Sequence, residues 1–322
     1  MAMDDKHQAR EMGFDVATNS RRHALALMLG SCSWLSGALA SASAAAPIRV
    51  AISESLVADM NINDARAAMA IWLKQFMQQM NLVLEMRPAV FDTTEEIVRR
   101  ARAGLLDVVA LNVVEYRQIA DVLDPNEIMC EAGAQAQEQY ILLAKRKSGI
   151  QHLGELRGRR LIVLKGIRMC VANAWLSTIL DGEHYGASEQ FFGSVISESK
   201  ASRVILPVFF NAADACITSK RGFDMMCELN PQVGTQLTAI TTSPVMTPCF
   251  YVFSKNYHGA SRELFAKAYS ALRDSASGRQ LSTVFKFDGL TVRDISCLAS
   301  ALSILDAADR ARTRRGVGIR KG

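Results

Sequence analysis

Proline is scarce in this chain, seven in 322 residues, and its twenty glycines follow no three-residue period, which excludes a collagen-like or low-complexity protein. Aromatic residues make up only 7%, yet 49% of the chain is hydrophobic and its body carries no long block of like charge, so a mainly disordered protein is excluded too. There is no C-x-x-C pair, and the five histidines (His7, His23, His152, His184, His258) are scattered, so no metal site is expected. G-x-S-x-G, H-E-x-x-H and P-loop patterns are missing, as is any repeat with a period of about 20–50 residues. No cofactor is implied, and catalysis is not expected.

Charge of one sign is also missing from the body. The chain has 37 Lys/Arg and 32 Asp/Glu, but residues 1–46 hold four of each and residues 310–322 hold six basic groups and no acid. The remaining 27 basic and 28 acidic groups give residues 47–309 a net charge of −1. No body-wide positive field is left for nucleic acid. The basic tail reads as a solvated terminus, with contact to an anionic membrane or a partner as the alternative.

The first 46 residues have the order of an export signal. A polar leader ends in Ser20-Arg21-Arg22, an apolar run follows through Leu39, and small residues Ala40 to Ala46 precede Pro47. These are the physical requirements of a secretory signal, with cleavage expected after Ala44 or Ala46. The arginine pair resembles a twin-arginine signal; a Sec signal is the alternative. Gly30, Ser31, Ser33 and Gly37 interrupt the run, which argues against a membrane span of about 20 residues. Leu29-Gly30-Ser31-Cys32 resembles a lipobox, so lipid anchoring stays open. An exported chain would keep Cys130, Cys170, Cys216, Cys227, Cys249 and Cys297, enough for up to three disulfides in an oxidising compartment or for six buried thiols.

Hydrophobic periodicity then alternates between strand and helix. Strands are expected at 47–52, 82–86, 106–111, 140–145, 160–164, 213–217, 238–242 and 249–253. Helices are expected after Asn61 or Asn63, after Thr93 with Glu96 three residues on, over 150–156, 169–180 and 199–210, from Ser261 to Leu272, and over 291–308. This order predicts an α/β protein with mainly parallel sheets in two lobes and at least two crossings between them.

Three stretches carry a family resemblance. They are Ala103-Gly-Leu-Leu-Asp107-Val-Val-Ala-Leu-Asn112 with Tyr116 behind it, Lys147-Ser-Gly-Ile150 with Leu153-Gly-Glu-Leu156-Arg-Gly-Arg-Arg-Leu161, and Ser199-Lys-Ala-Ser202 with Asn211-Ala-Ala-Asp214-Ala. Their order and spacing resemble the phosphate/phosphonate-binding periplasmic proteins of ABC transporters, of the type 2 periplasmic-binding fold. The resemblance covers about Pro47 to Leu290. It implies a two-lobed α/β clamshell: 47–137 plus about 238–290 as lobe one and the hinge return, 138–237 as lobe two, and an extra helix with a basic tail at 291–322. It further implies a monomer that captures a small anion in the hinge cleft and hands it to an ABC permease, or that reports it to a membrane receptor.

The cleft contacts implied by the resemblance are Ser53 and Ser55 after the first strand, Asn112 and Tyr116 after the third, and Lys165 and Arg168 in the loop 165–170. Ser199 and Ser202 at a helix start and Asp214 after that helix complete them. Strand carboxyl ends and helix N-termini suit an anion on general grounds. Two departures stand out. Family members place hydroxyls where this chain has Lys165 and Arg168, and Glu115 puts a carboxylate beside the expected anion site. A carboxylate or amino-acid-like ligand is therefore the alternative to a phosphonate.

Overall fold

Short apolar runs set the architecture, and Thr93, Asn112 and Ser219, at or just after the ends of three of them, cap the helices that follow. The computed structural model describes residues 48–57, 86–91, 93–258 and 290–319, with scattered positions in 63–78 and 262–279. The leader with Cys32, and most of the helices expected after Asn61 or Asn63 and after Ser261, lie outside the described residues.

Eleven strands are described, in two sheets. The first sheet contains β1 (Ile48–Ser53), β2 (Met86–Phe91), β3 (Val108–Asn112), β4 (Glu127–Glu131), β10 (Cys249–Phe253) and β11 (Leu290–Asp294), in the order β11-β4-β10-β3-β1-β2. The second contains β5 (Tyr140–Lys145), β6 (Arg160–Leu164), β7 (Ser194–Glu198), β8 (Ala215–Ser219) and β9 (Leu237–Thr242), in the order β7-β6-β8-β5-β9. Each sheet is mixed rather than mainly parallel. β1 pairs in parallel with β2 and β3, and β6 with β7 and β8. The strands that enter from the other lobe, β5 and β10, run antiparallel to β8 and β3. Val108 to Leu111 and Ala215 to Thr218 are fully buried, as expected of strands covered on both faces.

The chain crosses between sheets after β4 and again after β9, and the two crossing segments touch in a single antiparallel bridge, Glu138 to Met246. The return therefore comes at 243–248. β9, expected to open the return to lobe one at 238, instead pairs with β5 and belongs to the second sheet. Of the second sequence strand, expected over 82–86, only Met86 is described, where β2 (Met86–Phe91) begins; 82–85 lie outside the described residues.

Helices α1 (Thr94–Arg102) and α2 (Val113–Ile119) belong to the first lobe. The second lobe has α3 (Ala172–Gly182), α4 (Ser188–Phe191), α5 (Ala201–Phe209), α6 (Lys220–Leu229) and α7 (Pro231–Gln236). Thr93 caps α1 as expected, its hydroxyl accepting Glu96 N–H at 3.2 Å. The Ser-Gly-Ile motif is a turn: Gly149 takes φ +78°, and Ser148 Oγ donates to Lys145 O at 2.6 Å.

The other two motif segments are structural counterparts. In the first lobe Gly104 (φ +67°) ends α1, and three residues later Asp107 accepts Arg49 N–H at 2.7 Å. In the second lobe Asn211 (φ +61°) follows α5, and three residues later Asp214 accepts Arg160 N–H at 2.8 Å. Glycine and asparagine are the residues that tolerate this left-handed turn most readily. Each aspartate then ties the start of its own strand to the start of the neighbouring parallel one.

The C-terminal segment departs from the helix expected over 291–308. Thr291 to Asp294 alternate as strand β11 and pair antiparallel with β4. After a 3-10 turn at Ile295–Leu298, helix α8 runs over Ala299–Ile319. Leu298, Ala301, Ile304, Leu305, Ala308 and Ala311 form its buried stripe, at helical spacing. The basic tail is thus helical to Ile319. Arg315 donates to Gly186 O at 3.0 Å and to Ser177 Oγ at 2.8 Å in the second lobe, while Arg117 in the first pairs with Asp306 at 3.3 Å and with Asp309. No described helix is long and apolar enough to cross a membrane.

Candidate functional site

The carboxyl ends of β1 and β3 place Ser53, Ser55 and Asn112 side by side. Asn112 Nδ2 donates to Ser55 Oγ at 3.1 Å, and the Ser53 and Ser55 hydroxyl oxygens lie 3.0 Å apart, with Ser55 as the donor because the Ser53 proton goes to Glu115. Asn112 is also the cap of α2, its Oδ1 accepting Val114 N–H at 2.9 Å and Glu115 N–H at 3.0 Å. The spacing Asn112-x-x-Glu115 closes a capping box: Glu115 Oε2 accepts Asn112 N–H at 2.9 Å. Glu115 Oε1 receives Ser53 Oγ at 2.5 Å and Thr94 Oγ1 at 3.3 Å. Two hydroxyls and one amide therefore converge on a carboxylate that is only 7% exposed. This polar cradle at a helix N-terminus has the donor set of an oxyanion site, and its present occupant is the chain's own Glu115.

In the second lobe the loop after β6 forms a 3-10 turn, Ile167–Met169, that presses on the hinge. Arg168 Nε donates to Glu138 Oε2 at 3.0 Å and its NH1 to Glu131 Oε2 at 2.9 Å, while its NH2 reaches Gln137 O at 3.1 Å. Glu138, 3% exposed, also receives Arg221 NH2 at 3.1 Å. Burial pulls the Arg168 guanidinium down, but Glu138 and Glu131 more than offset this and hold it above its ordinary value. Tyr140, buried on β5, donates its hydroxyl to Arg168 O at 2.8 Å, and burial pushes that hydroxyl well above its ordinary pKa.

The same loop ends at Cys170. Its Sγ lies 3.8 Å from Pro248 O and against Val113 N–H at the start of α2, while Cys249 Sγ lies 3.7 Å from Ile167 O. The carboxyl end of β6 in one lobe thus meets the carboxyl end of β3 in the other. Burial pushes the Cys170 thiol up to about 12 and the Cys249 thiol well above its usual range.

Of the sequence-derived site residues, the structure brings Ser53, Ser55 and Asn112 into one cluster and puts Arg168 on the hinge acids. Lys165 and Ser199 are exposed at the carboxyl edge of the second sheet, with Lys165 N–H bonded to Glu198 O at 2.8 Å. Helix α5 begins two residues later than expected, at Ala201, so its cap is Lys200 and not Ser199; Ser202 sits half-buried in its first turn.

Two residues depart from the expected cleft position. Tyr116 is buried on α2 with its ring edge-on to Phe250, centroids 5.4 Å apart, in the core of lobe one. Asp214 precedes β8 and so lies at the amino end of the parallel strands, opposite the cleft, held by Arg160 N–H. Thr94, Glu131, Glu138 and Arg221 were not singled out by sequence. Only Glu115 carried a local signal for its structural role, the capping-box spacing. Among the described residues no cluster of three or more metal-ligating side chains occurs.

The comparisons with known proteins bear on the fold and the family. The family model described as ABC transporter, phosphonate, periplasmic substrate-binding protein matches residues 58–296. The chain is similar in structure to XAC2383 from Xanthomonas citri bound to chloride ion, at 11% identity and TM-score 0.58, covering 83% of this chain and 99% of that one. It is similar to PhnD1 from Prochlorococcus marinus in complex with methylphosphonate, at 15% identity and TM-score 0.52, covering 82% and 98%. A binding protein component of an ABC phosphonate transporter from Pseudomonas aeruginosa is similar at 14% identity and TM-score 0.51, covering 86% and 99%. No curated relative matches the chain.

Proposed function

The chain belongs to the periplasmic substrate-binding proteins of phosphonate ABC transporters, and from that premise we propose that it captures a small phosphonate- or phosphate-like oxyanion between its lobes and delivers it to an ABC permease. The observation that carries this reading is the cradle of Ser53, Thr94 and Asn112, whose donors already close on an oxyanion group, the Glu115 carboxylate. An arriving ligand takes the place of that carboxylate. Lys165, exposed on the facing edge, and the N-terminus of α2 favour its negative charge. The hinge, bridged at Glu138 and Met246, lets the two sheets close on the ligand as rigid bodies. Similar folds solved with methylphosphonate and with chloride support an anion as the ligand.

Calorimetric titration of the protein with methylphosphonate, phosphate, sulfate, methanesulfonate and glycine tests the proposal. Binding of one or more oxyanions and not of glycine is expected. Binding of glycine alone, or of none of the five, overturns it.

A further inference from the structure

Cys170 and Cys249 come from different lobes and meet reciprocally. Cys170 Sγ contacts the carbonyl of Pro248, the residue before Cys249, and Cys249 Sγ contacts the carbonyl of Ile167, three residues before Cys170. Cys170 lies close enough to Cys249 to raise the Cys249 thiol's pKa, and both are free. Cys249 opens β10 opposite Asn112, and Cys170 stands just before α3, so this contact joins the hinge return to the loop that carries Arg168.

We propose that Cys170 and Cys249 are a disulfide-forming pair through which the redox state of the compartment fixes the two lobes against each other. The chain's family is periplasmic, a compartment where protein disulfides form and persist. With the lobes together both cysteines are half-buried, each thiol is held well above its usual pKa range, and so both are protonated and unreactive. Separation of the lobes returns Cys170 to water at the N-terminus of α3, an eleven-residue helix, where the thiolate is favoured.

The Cys170 thiolate then attacks one sulfur of a disulfide donor, R–S–S–R. The donor's S–S bond breaks, one thiolate R–S⁻ leaves, and a mixed disulfide Cys170–S–S–R forms. As the lobes come back together, and before Cys249 is covered, its thiolate attacks Cys170 Sγ of the mixed disulfide, displaces the second R–S⁻ and forms the Cys170–Cys249 bond. Two protein thiols lose two protons and two electrons, and the donor disulfide is reduced to two thiols. The bond tethers β10 of lobe one to the loop after β6 of lobe two.

The test needs no transported ligand, so it stands or falls apart from the phosphonate reading. The full chain is incubated with glutathione disulfide and mapped by non-reducing mass spectrometry, and amide hydrogen exchange is then compared between oxidised and reduced protein. The expected result is a Cys170–Cys249 peptide that dithiothreitol removes, with exchange over residues 112–116 and 164–171 slowed at least about tenfold in the oxidised form. Cys170→Ser and Cys249→Ser should each lose both effects. Separate glutathione adducts on the two cysteines, two unmodified thiols, or a linked peptide without slowed exchange would each overturn the proposal.

Discussion

Arg168 Nε donates to Glu138 Oε2 at 3.0 Å, and this one bond fastens the loop after β6 to the bridge between the two lobes. A cation that sequence alone offers as a ligand grip is instead held by the hinge acids. Glu138 receives Arg221 as well, and Glu131 on β4 receives Arg168 from the first sheet.

Replacing that shared carboxylate removes the charge from a buried group and leaves two partly covered guanidinium ions short of a partner. Glu138→Gln should lower unfolding free energy by about 2 kcal/mol. Urea denaturation reads this, and a change below about 0.5 kcal/mol would show that Glu131 alone suffices.

Glu115 occupies the cradle proposed for the ligand, so its charge opposes any anion that enters. Glu115→Gln keeps the capping spacing and removes the repulsion. Methylphosphonate affinity should rise about tenfold, equivalent to about 1.4 kcal/mol, in a calorimetric titration. Unchanged or weaker binding would place the anion elsewhere.

Asp107 and Asp214 sit at the amino ends of their strands, away from the cleft, and hold Arg49 N–H and Arg160 N–H. Asp107→Ala should cost about 2 kcal/mol, because Arg49 Nε and NH2 lose their bonds at 2.9 and 2.6 Å as well. The more exposed Asp214 should cost about 1 kcal/mol. Both variants should keep ligand affinity within about twofold of the parent, a ratio that titration checks against the denaturation data.

Burial pushes the Asp124 carboxyl up, but Asn126 N–H at 2.8 Å, the Arg262 guanidinium and Glu127 N–H together hold it below its ordinary value. Unfolding therefore takes up a proton as the medium becomes acidic. The stabilisation is complete above the ordinary carboxylate range and is lost as pH falls through the depressed folded value. Asp124→Asn should flatten the loss of stability between about pH 4 and pH 2, read from melting temperatures across a pH series. A slope parallel to the parent's would assign acid sensitivity to other groups.

Helix α8 offers a contrast between packing and charge. Leu305 is buried in its stripe, and Leu305→Ala should cost about 3 kcal/mol. Arg117 meets Asp306 and Asp309 at the surface, and Arg117→Ala should cost less than about 1 kcal/mol. Thermal unfolding of the two variants orders them, and the reverse order would make α8 an electrostatic strap.

Local chemistry made most elements readable. The cap at Thr93 and the strands at 140–145, 160–164 and 249–253 all rest on neighbours within a few residues. The box linking Asn112 and Glu115 was available in the same way, since its partners are three residues apart. Errors arose where long-range pairing overrode local pattern. The segment 291–308 has helical apolar spacing, but Thr291 to Asp294 find β4 some 160 residues earlier and become a strand. Likewise β9 follows β5 into the second sheet.

The sequence by itself determined the two α/β lobes and that the chain crosses between them, because periodicity and capping act over one or two turns of chain; Ser53, Ser55 and Asn112 were implied by the family resemblance. Tertiary structure decided what the charges do. Arg168 meets Glu131 and Glu138 from 37 and 30 residues away, Tyr116 turns into the core against Phe250, and Cys170 meets the hinge return 78 residues on. A side chain's partner at such separation depends on how two sheets meet, and no local pattern encodes that.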